Sequence, residues 1–375
     1  MDSPTVTGEV RRRRLRAQRL APRHAETATV ADVVHAACGL QAQEKPAAAL
    51  SVRARSRGLT AEDVERALYE ERSVVRTWCM RGTLHLVATD DLSLFLSVFG
   101  PTFATRGPEA RRLAAWGLDE ATIDAAVDLV GAVLADEGPL TKRDIVEALV
   151  ARGVALDPST QAPNVLIRRA ALRGVLCAVA PVDGKNAYDR LDSWVDLPLA
   201  PDRDAALATL GRRYLAAYGP ATRADFAAWS GLYAADVKAA WDSLGDDVRE
   251  VGVGETSALV LDDRDAPDDR GDTTSVRLLP GYDTFLLGYE KSNRPIPVGF
   301  ESRVWPGGGI IRPTVLVDGQ VAGTWHLDRS RSHALVTVSP FGSLDDSARE
   351  RIDEEVRDVS RFLDRPVEWR TGAMA

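Results

Sequence analysis

Two near-copies of one helix start set the architecture of this chain. Gly138-Pro139-Leu140-Thr141-Lys142-Arg143-Asp144 is echoed by Gly219-Pro220-Ala221-Thr222-Arg223-Ala224-Asp225, each behind an Ala/Leu-rich helical run and ahead of another. Thr141 and Thr222 are suited to accept a backbone N–H of the following first turn, where Asp144 and Asp225 sit at the positive end of the helix dipole. After Thr141 the pattern predicts a helix from Lys142 to Ala151, a second from about Ala162 to Arg173, and strands over Val175 to Val179 and Ala187 to Leu191 around the turn Asp183-Gly184. After Thr222 it predicts helices Arg223 to Ser230 and Ala234 to Leu244, then strands Val248 to Val253 and Ser257 to Leu261. The N-terminal stretch reads as a third copy: a helix over Val30 to Cys38, a helix from Thr60 to Glu70, and strands Val74 to Arg81 and Thr83 to Val87. Two helices followed by a two-stranded wing is the winged-helix construction, whose second helix normally enters the DNA major groove.

An acidic stretch from Asp262 to Asp272, with Pro267 and Gly271, reads as a loop before a β-rich tail. Strands are expected there over Val276 to Leu279, Phe285 to Leu287, Gly309 to Val317, Gln320 to Leu327 and Ala334 to Val338, with Asp318-Gly319 as a tight hairpin turn. A charged helix from Ser343 to Leu363 and a last strand from Val367 to Arg370 complete it. Gly307-Gly308-Gly309 lacks the following helix and lysine of a phosphate cradle and reads as a bulge or turn. The expected fold class is α+β: three tandem winged-helix units over residues 1–117, 118–200 and 201–262, and a C-terminal β-rich domain over 273–375.

At 375 residues the chain exceeds the usual size of one core, and no run approaches the length of a membrane span. Arg11-Arg12-Arg13-Arg14-Leu15-Arg16 is not followed by a signal core, so a cytoplasmic, nucleoid-associated protein is expected. Cys38, Cys79 and Cys177 lack paired spacing and read as buried thiols, and neither a metal nor a cofactor is expected. The net charge of −8 counts against nucleic-acid binding only globally. Residues 1–200 hold 26 Lys plus Arg against 26 Asp plus Glu, leaving 21 against 29 in the rest, so the deficit lies in the second half. Within the balanced half, Arg11 to Arg16, then Arg53, Arg55 and Arg57, then Arg168, Arg169 and Arg173 form basic clusters. Each is open to two readings, a phosphate-contacting surface or a solvated helix face.

The segment Gly39-Leu40-Gln41-Ala42-Gln43 follows an amphipathic helix, Thr29 to Leu40, with Gly39 as its left-handed cap. Gln41 and Gln43 then lie in extended chain, where residues two apart share a side, so both amides can address one object. The alternative is a pair of surface loop glutamines. No serine-histidine-acid set and no HExxH spacing is readable. His85, next to Arg81 on the first wing, reads either as a DNA-contacting or catalytic residue or as a packed or hydrogen-bonded strand residue, and Trp78 and Trp116 as base-stacking or core aromatics.

Gly-Leu-Gln-Ala-Gln at 39–43, Trp-Cys-Met-Arg-Gly-Thr-Leu-His at 78–85, Leu-Leu-Gly-Tyr at 286–289, Pro-Gly-Gly-Gly-Ile at 306–310 and Arg-Pro-Thr-Val-Leu-Val-Asp-Gly at 312–319 together resemble the AlkZ-type winged-helix DNA glycosylases. The likeness covers nearly the whole chain, by motif at both ends and by architecture in the middle. It implies excision of N7-alkylated purines, and in some members the unhooking of interstrand crosslinks. It also implies that Gln41 and Gln43 occupy the catalytic Gln-x-Gln positions; a sister group, the YcaQ type, has Asp at the second, where this chain has Gln43. The expected partner is double-stranded DNA carrying such lesions, met by a monomer, with Arg53, Arg55, Arg81, His85, Arg168 and Arg169 as DNA-contact candidates. A non-catalytic winged-helix transcriptional regulator and a protein-interaction scaffold are the competing readings.

Overall fold

Four helices start on one four-residue device, Thr-x-x-Asp. The hydroxyls of Thr29, Thr60, Thr141 and Thr222 accept the backbone N–H of Asp32 (3.1 Å), Asp63 (3.2 Å), Asp144 (3.3 Å) and Asp225 (3.1 Å) respectively. At Thr29, Thr60 and Thr222 the aspartate bonds back to the threonine N–H, closing a capping box. Each such cap contributes about 1 kcal/mol and fixes where its helix begins.

The structure, a computed structural model, describes residues 7–104, 113, 115–253, 256–262, 274–329 and 333–373. The predicted acidic linker, apart from Asp262, lies outside them. The N-terminal unit comprises helix α1 (Gly8–Ala17), α2 (Val30–Ala36), strand β1 (Leu40–Gln41), α3 (Lys45–Arg55), α4 (Ala61–Tyr69), the hairpin β2 (Val74–Trp78) and β3 (Leu84–Ala88), and α5 (Leu92–Ala104). The second unit has α6 (Glu120–Glu137), β4 (Leu140–Thr141), α7 (Lys142–Ala151), α8 (Ala162–Leu172) and the hairpin β5 (Leu176–Val182) and β6 (Lys185–Arg190). The third has α9 (Arg203–Tyr218), α10 (Arg223–Ser230), α11 (Ala234–Asp242) and the hairpin β7 (Val248–Val253) and β8 (Thr256–Leu261).

One topology underlies all three. In each unit a short extended segment between two helices (α2 and α3, α6 and α7, α9 and α10) pairs with the last strand of the hairpin: Gln41 with His85, Thr141 with Ala187, Ala221 with Leu259. Gln41 therefore stands where the second unit carries Thr141. The first two hairpins are not separate wings. Arg76 pairs with Ala178, and the strands merge into one six-stranded sheet in the order β1-β3-β2-β5-β6-β4.

The tail is a five-stranded sheet, β13-β12-β11-β10-β9, of β9 (Val276–Leu279), β10 (Thr314–Val317), β11 (Gln320–Asp328), β12 (Ala334–Pro340) and β13 (Val367–Thr371), covered by helix α12 (Asp346–Leu363). Asp183-Gly184 and Asp318-Gly319 turn their hairpins with both residues at positive φ, as tight two-residue hairpin loops require. Two expected strands are corrected. Thr284–Leu287 is a helical turn because the Asp283 carboxylate caps Phe285 N–H at 2.9 Å. The strand expected from Gly309 begins only at Thr314, since Gly307 to Gly309 all have positive φ and Pro313 has no N–H to pair.

The apolar core runs between the units. One cluster joins Val33, Leu50 and Leu68 of the first unit to Leu278, Trp325 and Val336 of the tail sheet and Val356 of α12. Another links Phe99, Cys177, Trp229 and Phe285, drawn from all three units and the tail. The N-terminal unit is thus held against the tail along α3, a helix the hydrophobic pattern did not reveal. Cys38, Cys79 and Cys177 are buried thiols, and burial pushes the first two up to about 12. Among the described residues no helix is long and apolar enough to cross a membrane.

Candidate active site

The site begins with a change of backbone direction. Helix α2 ends at Ala36, and Cys38 (φ 54°) and Gly39 (φ 88°) turn the chain into β1. An added Cβ at Gly39 would lie 2.8 Å from Met80 Cε, so both the conformation and the close approach favour glycine. Extended chain then alternates: Leu40 and Ala42 are fully buried, while Gln41 and Gln43 turn to the other side. Ala42 N–H donates to Leu84 O at 2.8 Å, and the Arg76 guanidinium donates to the carbonyls of Ala42 (2.9 Å) and Gln43 (3.4 Å). The segment is pinned on both edges before α3 begins.

The two amides meet. Gln41 Nε2 donates to Gln43 Oε1 at 2.7 Å and reaches Thr83 Oγ1 at 3.3 Å. Arg81 Nη2 donates to Gln41 Oε1 at 2.7 Å. A guanidinium is donor-only, so this bond fixes which face of the Gln41 amide is oxygen; its nitrogen is thereby aimed at Gln43, whose oxygen must accept. Gln41 is 6% exposed and Gln43 is exposed, so the pair has a sheltered member and a solvent-facing one.

Arg81 is held by its own backbone and by the third unit. It has φ 55°, in the turn between β2 and β3, and donates to the Trp229 carbonyl. Gly231, φ 69°, closes α10 just beyond; a Cβ there would lie 3.0 Å from Arg81 Cγ and 3.2 Å from Phe103 Cζ. Burial pulls Arg81 down to about 10, which leaves it cationic at neutral pH. His85, opposite Gln41 in the sheet, is 0% exposed with Nδ1 2.9 Å from Thr83 O. Burial and the nearby Arg81 charge push it down to about 3, so it is neutral.

Several expected DNA contacts are corrected. Arg53 and Arg55 are 0% exposed because α3 lies between the N-terminal helices and the tail. Arg55 forms a two-pronged pair with Asp283 (2.8 and 2.9 Å) and also donates to Gln18. Burial pushes the Asp283 carboxyl up, but the Arg55 charge and hydrogen bonds from Ser51 and Phe285 outweigh it and hold it below its usual range. Arg53 pairs with Glu355 (3.1 Å) and Asp358 (2.9 Å) of α12. Arg169 is 1% exposed and pairs with Glu120 of α6. His85 is likewise sealed, while Arg81, partly exposed, bonds to Gln41. Arg168, half-exposed like Arg81, stands beside a groove and packs against Gly82. Sequence reasoning missed Arg76, Thr83 and the Trp229 carbonyl; the first lies in a strand with no polar periodicity to mark it, the second in the turn before β3, and the third is a backbone atom. Among the described residues no cluster of three or more His, Cys, Asp or Glu is placed to hold a metal ion.

Set beside known proteins, the chain is a DNA glycosylase: a family model described as "DNA glycosylase AlkZ-like" matches residues 34–362, and the chain belongs to that family. It is therefore a hydrolase of N-glycosyl bonds. A curated relative from Streptomyces sahachiroi, an "Interstrand DNA cross-link repair glycosylase", is 31% identical over 364 residues, covering 93% of this chain and 94% of its own. The solved structure of the Streptomyces sahachiroi DNA glycosylase AlkZ superposes with a TM-score of 0.80 at 29% identity, over 97% of this chain and 99% of that one.

Proposed function

We propose that this glycosylase excises N7-alkylated purines from duplex DNA, interstrand crosslinks included, and that Gln41 and Gln43 position the attacking water. The observation that carries this reading is the hydrogen-bonded pair Gln41–Gln43 with its orientation set by Arg81. Each amide oxygen has two lone pairs, and the bonds described use one on each. The remaining two can accept both protons of one water, leaving its own lone pair directed at the sugar C1′.

The chemistry asks for little more. N7 alkylation puts a positive charge on the purine, so the C1′–N9 bond breaks with its electrons neutralising the departing base. Water oxygen bonds to C1′, and its proton passes out through the amide-bound solvent. No acid is needed for such a leaving group, whereas an undamaged purine would need one, and this discriminates damaged from normal bases. Ordering the water supplies the catalysis. The three helix-strand-helix-helix-hairpin units support a tandem winged-helix scaffold over residues 1–117, 118–200 and 201–262, with the tail bracing the first. The crosslink substrate is supported by the Streptomyces sahachiroi relative and by the exposure of Gln43: a base tethered to the opposite strand cannot be swung fully into a closed pocket.

The test is single-turnover release of 7-methylguanine, and unhooking of a defined N7–N7 crosslink, from labelled duplex. The wild type should leave alkali-labile abasic sites, and Gln43→Ala should bind the duplex but release base at least about a hundredfold more slowly. Sequence-specific binding without base release would instead identify a regulator.

A further inference from the structure

One face of the second unit carries a groove that the glycosidic chemistry does not use. It has a volume of ≈ 530 Å³ and lies between the start of α7, the α8 helix and the β5–β6 hairpin, with Trp78 at its inner wall. Trp78 stacks on Tyr188 at 6.1 Å with 29° between the rings, and half-buried Trp116 faces the same space. Lys142 and Lys185, both exposed, stand on the rim with Arg168 and with Arg143, which pairs with Asp144 (3.2 Å) and Glu147 (3.6 Å). Lys142 Nζ donates to Asn164 Oδ1 at 2.7 Å, which draws the ammonium over the groove. Among the described residues no carboxylate lines it.

The groove is coupled in space to the amide pair. Trp78 ends β2, the strand that leads into the Arg81 turn, and Arg168 Nη1 comes within 3.2 Å of where a Gly82 Cβ would stand. One wall therefore serves both sites.

We propose that this groove receives an intact nucleotide neighbouring the lesion, its base against the Trp78, Tyr188 and Trp116 aromatics and its phosphate on Lys142 and Lys185. The proposal rests on the reading that the substrate is duplex DNA with a cationic lesion. Charge decides which nucleotide enters. An N7-alkylpurine is positive and is repelled by the Lys142 and Lys185 ammoniums, whereas a neutral base carrying an anionic phosphate matches both halves of the lining. Aromatic platforms flanked by cations are how proteins hold unstacked bases without reading their sequence, and the volume falls within the range of small-molecule sites. Holding the neighbour open would expose the lesion's C1′ to Gln43 without swinging a tethered base out of the helix.

The experiment uses the full chain and fluorescein-labelled duplexes carrying a tetrahydrofuran abasic analogue, with the adjacent nucleotide either paired or opposite a gap. The wild type should bind the gapped form about tenfold or more tightly, because the unpairing is already done. Trp116→Ala should abolish that preference. Lys142→Glu with Lys185→Glu, at exposed positions that leave packing untouched, should weaken binding and reduce the slope of log affinity against log salt by about one to two. Equal binding of both duplexes by the wild type, or an unchanged salt slope in the double variant, would overturn the proposal. If the wild type shows the preference but releases no base, the catalytic reading fails and the groove stands; if it releases base while every groove variant binds as the wild type does, the groove alone is lost.

Discussion

Arg81 donates a 2.7 Å hydrogen bond to Gln41 Oε1 from a turn that the third unit clamps through the Trp229 carbonyl. The orientation of the Arg81 side chain is thus set by a backbone atom 148 residues later in the chain.

Arg81→Met removes that bond while keeping most of the side-chain volume. Gln41 is then free to flip its amide, and the Gln43 oxygen loses its donor. Base release at saturating DNA should fall by about a hundredfold, the scale of a small misplacement in an ordered reaction, with DNA affinity within a few-fold of wild type. Single-turnover rates and anisotropy titrations measure the two; a large loss of affinity with an unchanged rate would mean that Arg81 contacts DNA instead.

Gln41→Ala and Gln43→Ala should be strongly non-additive, because the two amides share one water and one hydrogen-bond chain. Each alone should remove about a hundredfold or more in rate, and the double variant little beyond the worse single one. Independent, multiplicative losses would show that the amides act separately.

How much of this was legible without coordinates differs by element. The Thr-x-x-Asp caps, both Asp-Gly hairpin turns and the Gln-x-Gln segment are local features, readable because a cap, a positive-φ pair or a two-residue alternation needs no distant partner. Arg53, Arg55 and Arg169 were misread for the opposite reason. A cluster of arginines carries the same pattern whether water or a distant carboxylate covers it, and the covering groups here, Glu355, Asp283 and Glu120, lie 302, 228 and 49 residues away. Helix α3 was missed because both of its faces are buried, leaving no polar stripe to give the 3.6-residue period.

The same burial predicts what Arg55 does. Arg55→Met strands the Asp283 carboxylate in the core and should destabilise the protein by about 3–5 kcal/mol, read as a shift in urea midpoint. The salt dependence of DNA binding should not change at temperatures where the variant is folded, since the guanidinium is 0% exposed. Adding Asp283→Leu should recover much of the stability. A reduced salt slope in folded Arg55→Met would restore the phosphate-contact reading.

His85 gives the chain an acid limit with a definite sign. Its folded pKa is pushed down to about 3 by burial first and the Arg81 charge second, against 6.5 when unfolded. Between those values the unfolded chain takes up a proton that the native chain refuses, so stability is complete above pH 6.5 and falls as pH drops, by up to about 1.4 kcal/mol per unit and about 2 kcal/mol by pH 5. Because His85 pairs with Gln41 across β1 and β3, protonating it pulls apart the strand that carries the amides. Base release should therefore stay flat with pH while the chain is folded, as expected when neither amide titrates, and fall only where the accumulated loss of stability unfolds it. Urea midpoints at pH 7.5 and pH 5.0 isolate the contribution: the drop should be smaller in His85→Gln than in the wild type, since every other titrating group is common to both. Equal drops in the two proteins would remove His85 as the cause.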